Sequence, residues 1–206
     1  MPDWVHAAER AYVAAATGGA AAAAAPATAA SPAGATSASP AAAEHRARAL
    51  AAAGAIASHY LAVGTPRSFG IVIAGPADVA AAALSLVAHR AWFQPRDLRC
   101  ASLTTGADEL ASATAGRVVS LDEALACDIV NVYATALHIS PAQLRRGTHV
   151  NALAIDIFDP ELLAFATVVR EAQLPSLAAG LVDGRQLDEL TLFTADGAPI
   201  ALSAVC

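Results

Sequence analysis

Residues able to do chemistry are sparse in this chain, and their spacing is the first guide to its function. Gly75 and Asp78 sit where an apolar run, Ser68-Phe69-Gly70-Ile71-Val72-Ile73-Ala74, breaks into an alanine-rich stretch. A strand that turns at glycine into a helix can cradle phosphate, because the amides of the turn and the helix N-terminus face an anion together. The spelling here, Ile73-Ala74-Gly75-Pro76-Ala77-Asp78, is wrong for that ligand. Gly75 reads as a turn glycine, for which the needs of the backbone are as good an explanation as a ligand. Asp78 reads most simply as a negative charge at the positive end of the helix dipole, with a ligand contact as the other reading.

The other reactive groups are scattered. Asp156 and Asp159 follow an apolar run, and carboxylates at the C-terminal end of a strand stand in the usual ligand crevice of an α/β sheet; function and solvated loop are both open for them. His138 and His149 show no metal-ligand spacing, so both read as structural histidines, and no metal is expected. Arg145-Arg146 could hold a carboxylate, but a solvated helix end is the simpler reading. No Gly-x-Ser-x-Gly elbow is present, and all twelve basic residues are arginine, which removes Schiff-base and Walker-type lysine chemistry.

Composition excludes further classes. A formal charge of -6 offers no basic footprint for nucleic acid. No run reaches the roughly 18 uninterrupted apolar residues of a membrane span, and the run 14–25 follows Asp3 and Glu9 where a signal peptide would be basic. Cys100, Cys127 and Cys206 lack Cys-x-x-Cys spacing and read as free thiols of a cytoplasmic protein.

The elements that must position these groups follow from period and punctuation. Residues 3–13 have the spacing of a short amphipathic helix, and 18–40 are Ala, Pro, Ser, Thr and Gly, a linker with little to bury. Residues 1–45 are therefore expected to form a short helix plus linker, and 46–206 one domain. Helices are expected at 41–62, 76–92, 108–114 and 120–126, with a capping box at Ser120 and Glu123 and a helical turn at 141–145. Strands are expected at 69–74, 97–102, 117–119, 128–134 and 148–155. This alternation predicts an α/β protein with a doubly wound, mostly parallel sheet. Near the end, 190–194 and 199–205 flank Asp196-Gly197, which predicts a C-terminal β-hairpin.

The stretch from about Arg46 to Ala201 resembles the dinucleotide domain of the ornithine cyclodeaminase and mu-crystallin family. The resemblance is carried by residues 55–62 before the first strand, by Ala74-Gly75, by 128–132 with 144–152, and by Leu190-Thr191-Leu192-Phe193. It implies a Rossmann-like sheet. The departures from the family are as informative. The substrate domain and catalytic lysine of the family have no counterpart, and its Arg-Thr falls on Ala49-Leu50. Its first phosphate-turn glycine falls on Ile73, whose side chain is expected to block backbone approach, and Asp78 would repel pyrophosphate. No acidic or arginine residue for a ribose or its phosphate occurs at Ser102-Leu103-Thr104-Thr105. Asp156 aligns with the family's catalytic Asp but lacks its partners.

These departures imply a truncated member that binds without catalysing, with no cofactor and no catalytic residue. Truncated relatives of the crocagin type bind peptides in pathways that modify ribosomally made peptides, so a peptide, such as a precursor peptide, is the expected partner. The residues nominated for it are Gly75, Asp78, Thr135, His138, Asp156 and Phe193. A homodimer is expected from the apolar faces that a shortened domain leaves open. The alternatives are an NAD(P)-dependent cyclodeaminase or imine reductase with an atypical cofactor site, and an oligomerisation module.

Overall fold

A computed structural model describes residues 40–62, 64–170, 173–174 and 190–194. The expected helix at 3–13, the linker at 18–40 and the strand at 199–205 lie outside the described residues. Helix α1 (Pro40–Leu61) buries Leu50, Ala53, Ala57 and Leu61 along one stripe at helical spacing. Its small residues let it lie close on the sheet: a Cβ at Gly54 would come 3.1 Å from Asn151 Cγ.

Strand β1 (Ser68–Ile73) runs through the middle of the molecule, followed by a 3-10 turn at Pro76–Asp78 and helix α2 (Val79–Arg90). Then come β2 (Asp97–Ser102), α3 (Ala107–Thr114), β3 (Arg117–Val118), α4 (Leu121–Leu125) and β4 (Ile129–Val132). A 3-10 turn at Pro141–Gln143 leads to β5 (His149–Ala152), α5 (Pro160–Phe165), β6 (Thr167–Arg170) and β7 (Thr191–Thr194). The seven strands form one sheet in the order β3-β2-β1-β4-β5-β7-β6, with every pairing parallel. The fold is the expected doubly wound, Rossmann-like α/β sheet.

Side-chain alternation divides the core between the two faces. Phe69, Ile71 and Ile73 of β1 join Leu50 and Leu61 of α1 and Leu86 of α2 on one face. Val72 joins Val130, Val132, Val150 and Leu125 of α4 on the other. Burying each such side chain contributes about 1.5–3 kcal/mol. Helix α4 begins with the expected box: Ser120 N–H donates to Glu123 Oε2 at 3.0 Å, and Glu123 N–H to Ser120 Oγ at 3.3 Å.

Two findings differ from the sequence reading. The sequence expectations include neither helix α5 nor strand β6, although Asp159 caps α5 by accepting Glu161 N–H at 3.0 Å with Pro160 next in line. Strand β7 is not the first arm of a hairpin over its own four residues. Both of its edges are occupied, by β5 (His149 opposite Thr191) and by β6 (Thr167 opposite Thr191), which leaves no free edge for an antiparallel return strand.

Candidate functional site

The strand order reverses between β1 and β4, so the crevice at their C-terminal ends is the topological switch point where open α/β sheets hold ligands. The first wall is the β1–α2 turn. Asp78 Oδ2 accepts the Ala74 N–H at 2.9 Å and the Gly75 N–H at 3.4 Å. The amides an anion would meet are thus filled by a carboxylate from the same turn. An anion close by would be opposed: two like unit charges about 4 Å apart repel by roughly 4 kcal/mol at an effective dielectric near 20.

Gly75 is extended, with φ -175° and ψ -168°, so it is not a turn glycine in the left-handed sense. Its reason is space, since a Cβ there would come 3.0 Å from Thr104 Oγ1, which donates to Ala74 O at 2.7 Å. The turn after β2 settles on the turn after β1. Gly106, with φ +99°, lies so close that a Cβ would be 3.1 Å from Pro76 N and Cα. Ser102 Oγ donates to Thr105 O at 2.7 Å and accepts Thr104 N–H at 3.3 Å, so the end of β2 is a self-contained turn. Ile73 does not obstruct this surface as expected. Its side chain is fully buried in the core, and the obstacle to an anion is the Asp78 carboxylate.

The second wall follows β4. Tyr133 N–H still donates to Val72 O at 2.8 Å, while the buried ring sends its hydroxyl toward Ala81 O at 3.4 Å. Burial pushes the Tyr133 phenol well above its ordinary value, so it stays protonated. Thr135, Ala136 and His138 then emerge to solvent. The third wall follows β5. Asp156 is exposed, and a parallel bridge between Ile139 and Phe158 brings His138 beside Asp159, with Nε2 to Oδ2 at 3.6 Å. That pair is largely solvated, and such pairs contribute little.

Of the six nominated residues, Gly75 and Asp78 share one turn, Thr135 and His138 the next, and Asp156 the third, all at one end of the sheet. Phe193 is not among them. Its ring is fully buried in β7 within the core, because the alternation of an internal strand points it at the helical layer. Charge distinguishes this end. The described turns after β1, β2 and β5 lead into Asp78, Asp108, Glu109, Asp156 and Asp159. Among the described residues no cluster of His, Cys, Asp and Glu could hold a metal ion. Burial raises both described thiols, Cys127 to about 11, so neither is a ready nucleophile.

One feature that the sequence reading did not find lies beneath α1 and α2. His89 Nδ1–H donates to Ser85 O at 2.7 Å, which leaves Nε2 to accept from Ser58 Oγ at 3.0 Å. Asn151 Nδ2 donates to Ser58 Oγ at 2.9 Å and to Asn131 Oδ1 at 2.7 Å, and Asn131 Nδ2 donates to Ser85 Oγ. His149 Nε2 pairs with Asn151 Oδ1 at 2.9 Å and Nδ1 with Thr191 Oγ1 at 2.8 Å. Seven buried polar side chains on five elements thereby satisfy one another. The network is closed to solvent and positions the sheet under its helices; it does no chemistry at the surface.

No protein-family model matches the chain, and no curated protein sequence matches it. Solved structures share its fold. An archaeal alanine dehydrogenase dimer with bound NAD is similar at TM-score 0.62 and 23% identity, over 78% of this chain and 61% of that one. The Thermococcus litoralis Δ1-pyrroline-2-carboxylate reductase in complex with NADH and L-proline gives 0.58 and 21%, over 73% and 58%. A probable ornithine cyclodeaminase from Bordetella pertussis gives 0.56 and 18%, over 79% and 62%. The likeness is one of fold, and this chain spans about three fifths of the length of these proteins.

Proposed function

We propose that the protein binds a peptide without catalysing a reaction, in the crevice where β1 and β4 part, against Gly75, Asp78, Thr135, His138 and Asp156. The observation that carries this reading is the Asp78 carboxylate on the Ala74 and Gly75 amides, the position a dinucleotide would need for its pyrophosphate. The acidic rim favours the amine, lysine or arginine of a peptide over a phosphate. A role in holding a precursor peptide for modification in the cytoplasm fits this reading. So does a homodimer, since Leu84 and Val87 on the outer face of α2 are 51% and 65% exposed.

Calorimetric titration tests the reading, using precursor-like peptides encoded near the gene. Saturable binding that weakens in Thr135→Ala and Asp156→Asn variants supports it. Saturable micromolar binding of NADH or NADPH overturns it in favour of a second reading, a reductase with an atypical cofactor pose. The likeness of fold to NAD- and NADH-bound structures is what favours that second reading.

A further inference from the structure

The opposite end of the sheet holds a cavity of about 570 Å³, formed where the loops entering β1 and β2 meet. That volume lies within the range of about 300–1,000 Å³ common for ligand pockets. Arg67 and Arg96 line it from the two loops, and Trp92 and Phe93 supply its aromatic surface. Among the described residues no acidic side chain lines it.

The walls are fixed before any ligand arrives. Arg67 O accepts the N–H of Arg96 at 2.8 Å and of Asp97 at 3.1 Å, which ties the two loops together. Trp92 stacks on His59 with ring centroids 3.7 Å apart and planes at 30°, and Phe93 packs against the core. Gly64, with φ +62°, completes the lining, and no described residue lies within 4 Å of where a Cβ on it would be.

The nearest carboxylates face elsewhere. Asp128 Oδ2 accepts the backbone N–H groups of Arg67 and Ser68 at 2.8 and 2.9 Å. Asp97 pairs with Arg99 at 2.7 Å and Arg117 at 3.1 Å. Among the described residues the guanidinium groups of Arg67 and Arg96 have no ion pair, in a chain whose net charge is -6.

We infer that this cavity is a second binding site, for an aromatic carboxylate gripped by Arg67 and Arg96 with its flat ring against Trp92 and Phe93. A guanidinium fork matches a planar carboxylate, and offset or edge contacts between aromatic rings orient the rest of the ligand. The carboxylate can come from a free aromatic acid or from the C-terminal aromatic residue of a peptide. The site is separated from the β1–β4 crevice by the length of the sheet and stands independently of the peptide reading.

The test is an NMR titration that follows the indole N–H signals of Trp4 and Trp92, assigned with Trp92→Phe. The probes are N-acetyl-L-phenylalanine and its neutral amide. The acid is expected to move the Trp92 signal to saturation, with the amide at least about tenfold weaker. Replacing both guanidiniums (Arg67→Gln with Arg96→Gln) should weaken the acid by about ten- to a hundredfold, with the dispersion of the spectrum unchanged. Equal binding of acid and amide, no saturable shift of Trp92, or undiminished binding by a folded double variant would overturn the assignment. The acid–amide comparison on the native protein decides the matter even if the double variant does not fold. A short peptide ending in phenylalanine, compared with the free acid, then identifies which source of the carboxylate binds tighter.

Discussion

At the scale of single residues, Asp78 and His89 show opposite uses of a titratable group. Asp78 is an anion supplied by the chain to its own turn, and removing it should free two amides. In Asp78→Ala, urea unfolding is expected to show a loss of about 1 kcal/mol, while Asp78→Asn, which keeps an acceptor, retains most of that stability. Inorganic pyrophosphate, titrated calorimetrically, should bind measurably only after the carboxylate is removed. His89 is a buried neutral group. Burial brings its pKa down to about 4, partly opposed by the hydrogen bond to Ser85 O. Above pH 6.5 both folded and unfolded chains carry it neutral. As pH falls from 6.5 toward 4, only the unfolded chain takes up the proton, so stability falls by about 3 kcal/mol and then levels off. Urea midpoints at pH 7 and 4.5 should differ accordingly, and His89→Gln should flatten that part of the dependence.

At the scale of elements, close approach decides what is tolerated. A Cβ at Gly70 would overlap the Ala124 carbonyl oxygen, so Gly70→Ala must displace α4 from the sheet. A loss of about 2–3 kcal/mol by thermal or urea unfolding is expected. Much of this layer is legible in the sequence. The apolar run of β1, Pro76 at a helical start, and the Ser120–Glu123 box place their elements within a residue or two. What is not legible depends on distant partners. Alternation in Thr148-His149-Val150-Asn151-Ala152 marks a strand, but nothing local shows what its polar side chains meet. The face of His149 and Asn151 is dry, because Ser58, Asn131 and Thr191, on three other elements, complete their hydrogen bonds. Phe193 looks available for the same reason: nothing near it in sequence shows that β6 covers one edge of its strand and β5 the other. The crevice itself was readable at Gly75 and Asp78, although the glycine is there to make room for Thr104 and not for its φ angle.

At the scale of the whole molecule, charge is divided between the two ends of the sheet. The turns leaving β1, β2 and β5 lead into carboxylates, whereas the loops entering β1, β2 and β5 carry Arg67, Arg96, Arg145 and Arg146, and the carboxylates at that end, Asp97 and Asp128, are engaged by Arg99, Arg117 and backbone N–H groups. A cationic peptide bound at the acidic end should associate more slowly as salt rises, since exposed charges are screened beyond about 8 Å at physiological ionic strength. Stopped-flow association at low and high salt checks this, and an unchanged rate would place the peptide elsewhere. The order of the last three strands bears on how the chain folds as it is made. Among the described strands β6 hydrogen-bonds only to β7, and β7 also closes the outer edge of β5. On the ribosome, residues 167–170 therefore lack β7 as a neighbouring strand until 191–194 have left the exit tunnel and inserted between two segments already waiting. A nascent chain stalled before residue 191 should show protease-sensitive β6 and an open β5 edge, and release of four more residues should convert both to protected structure.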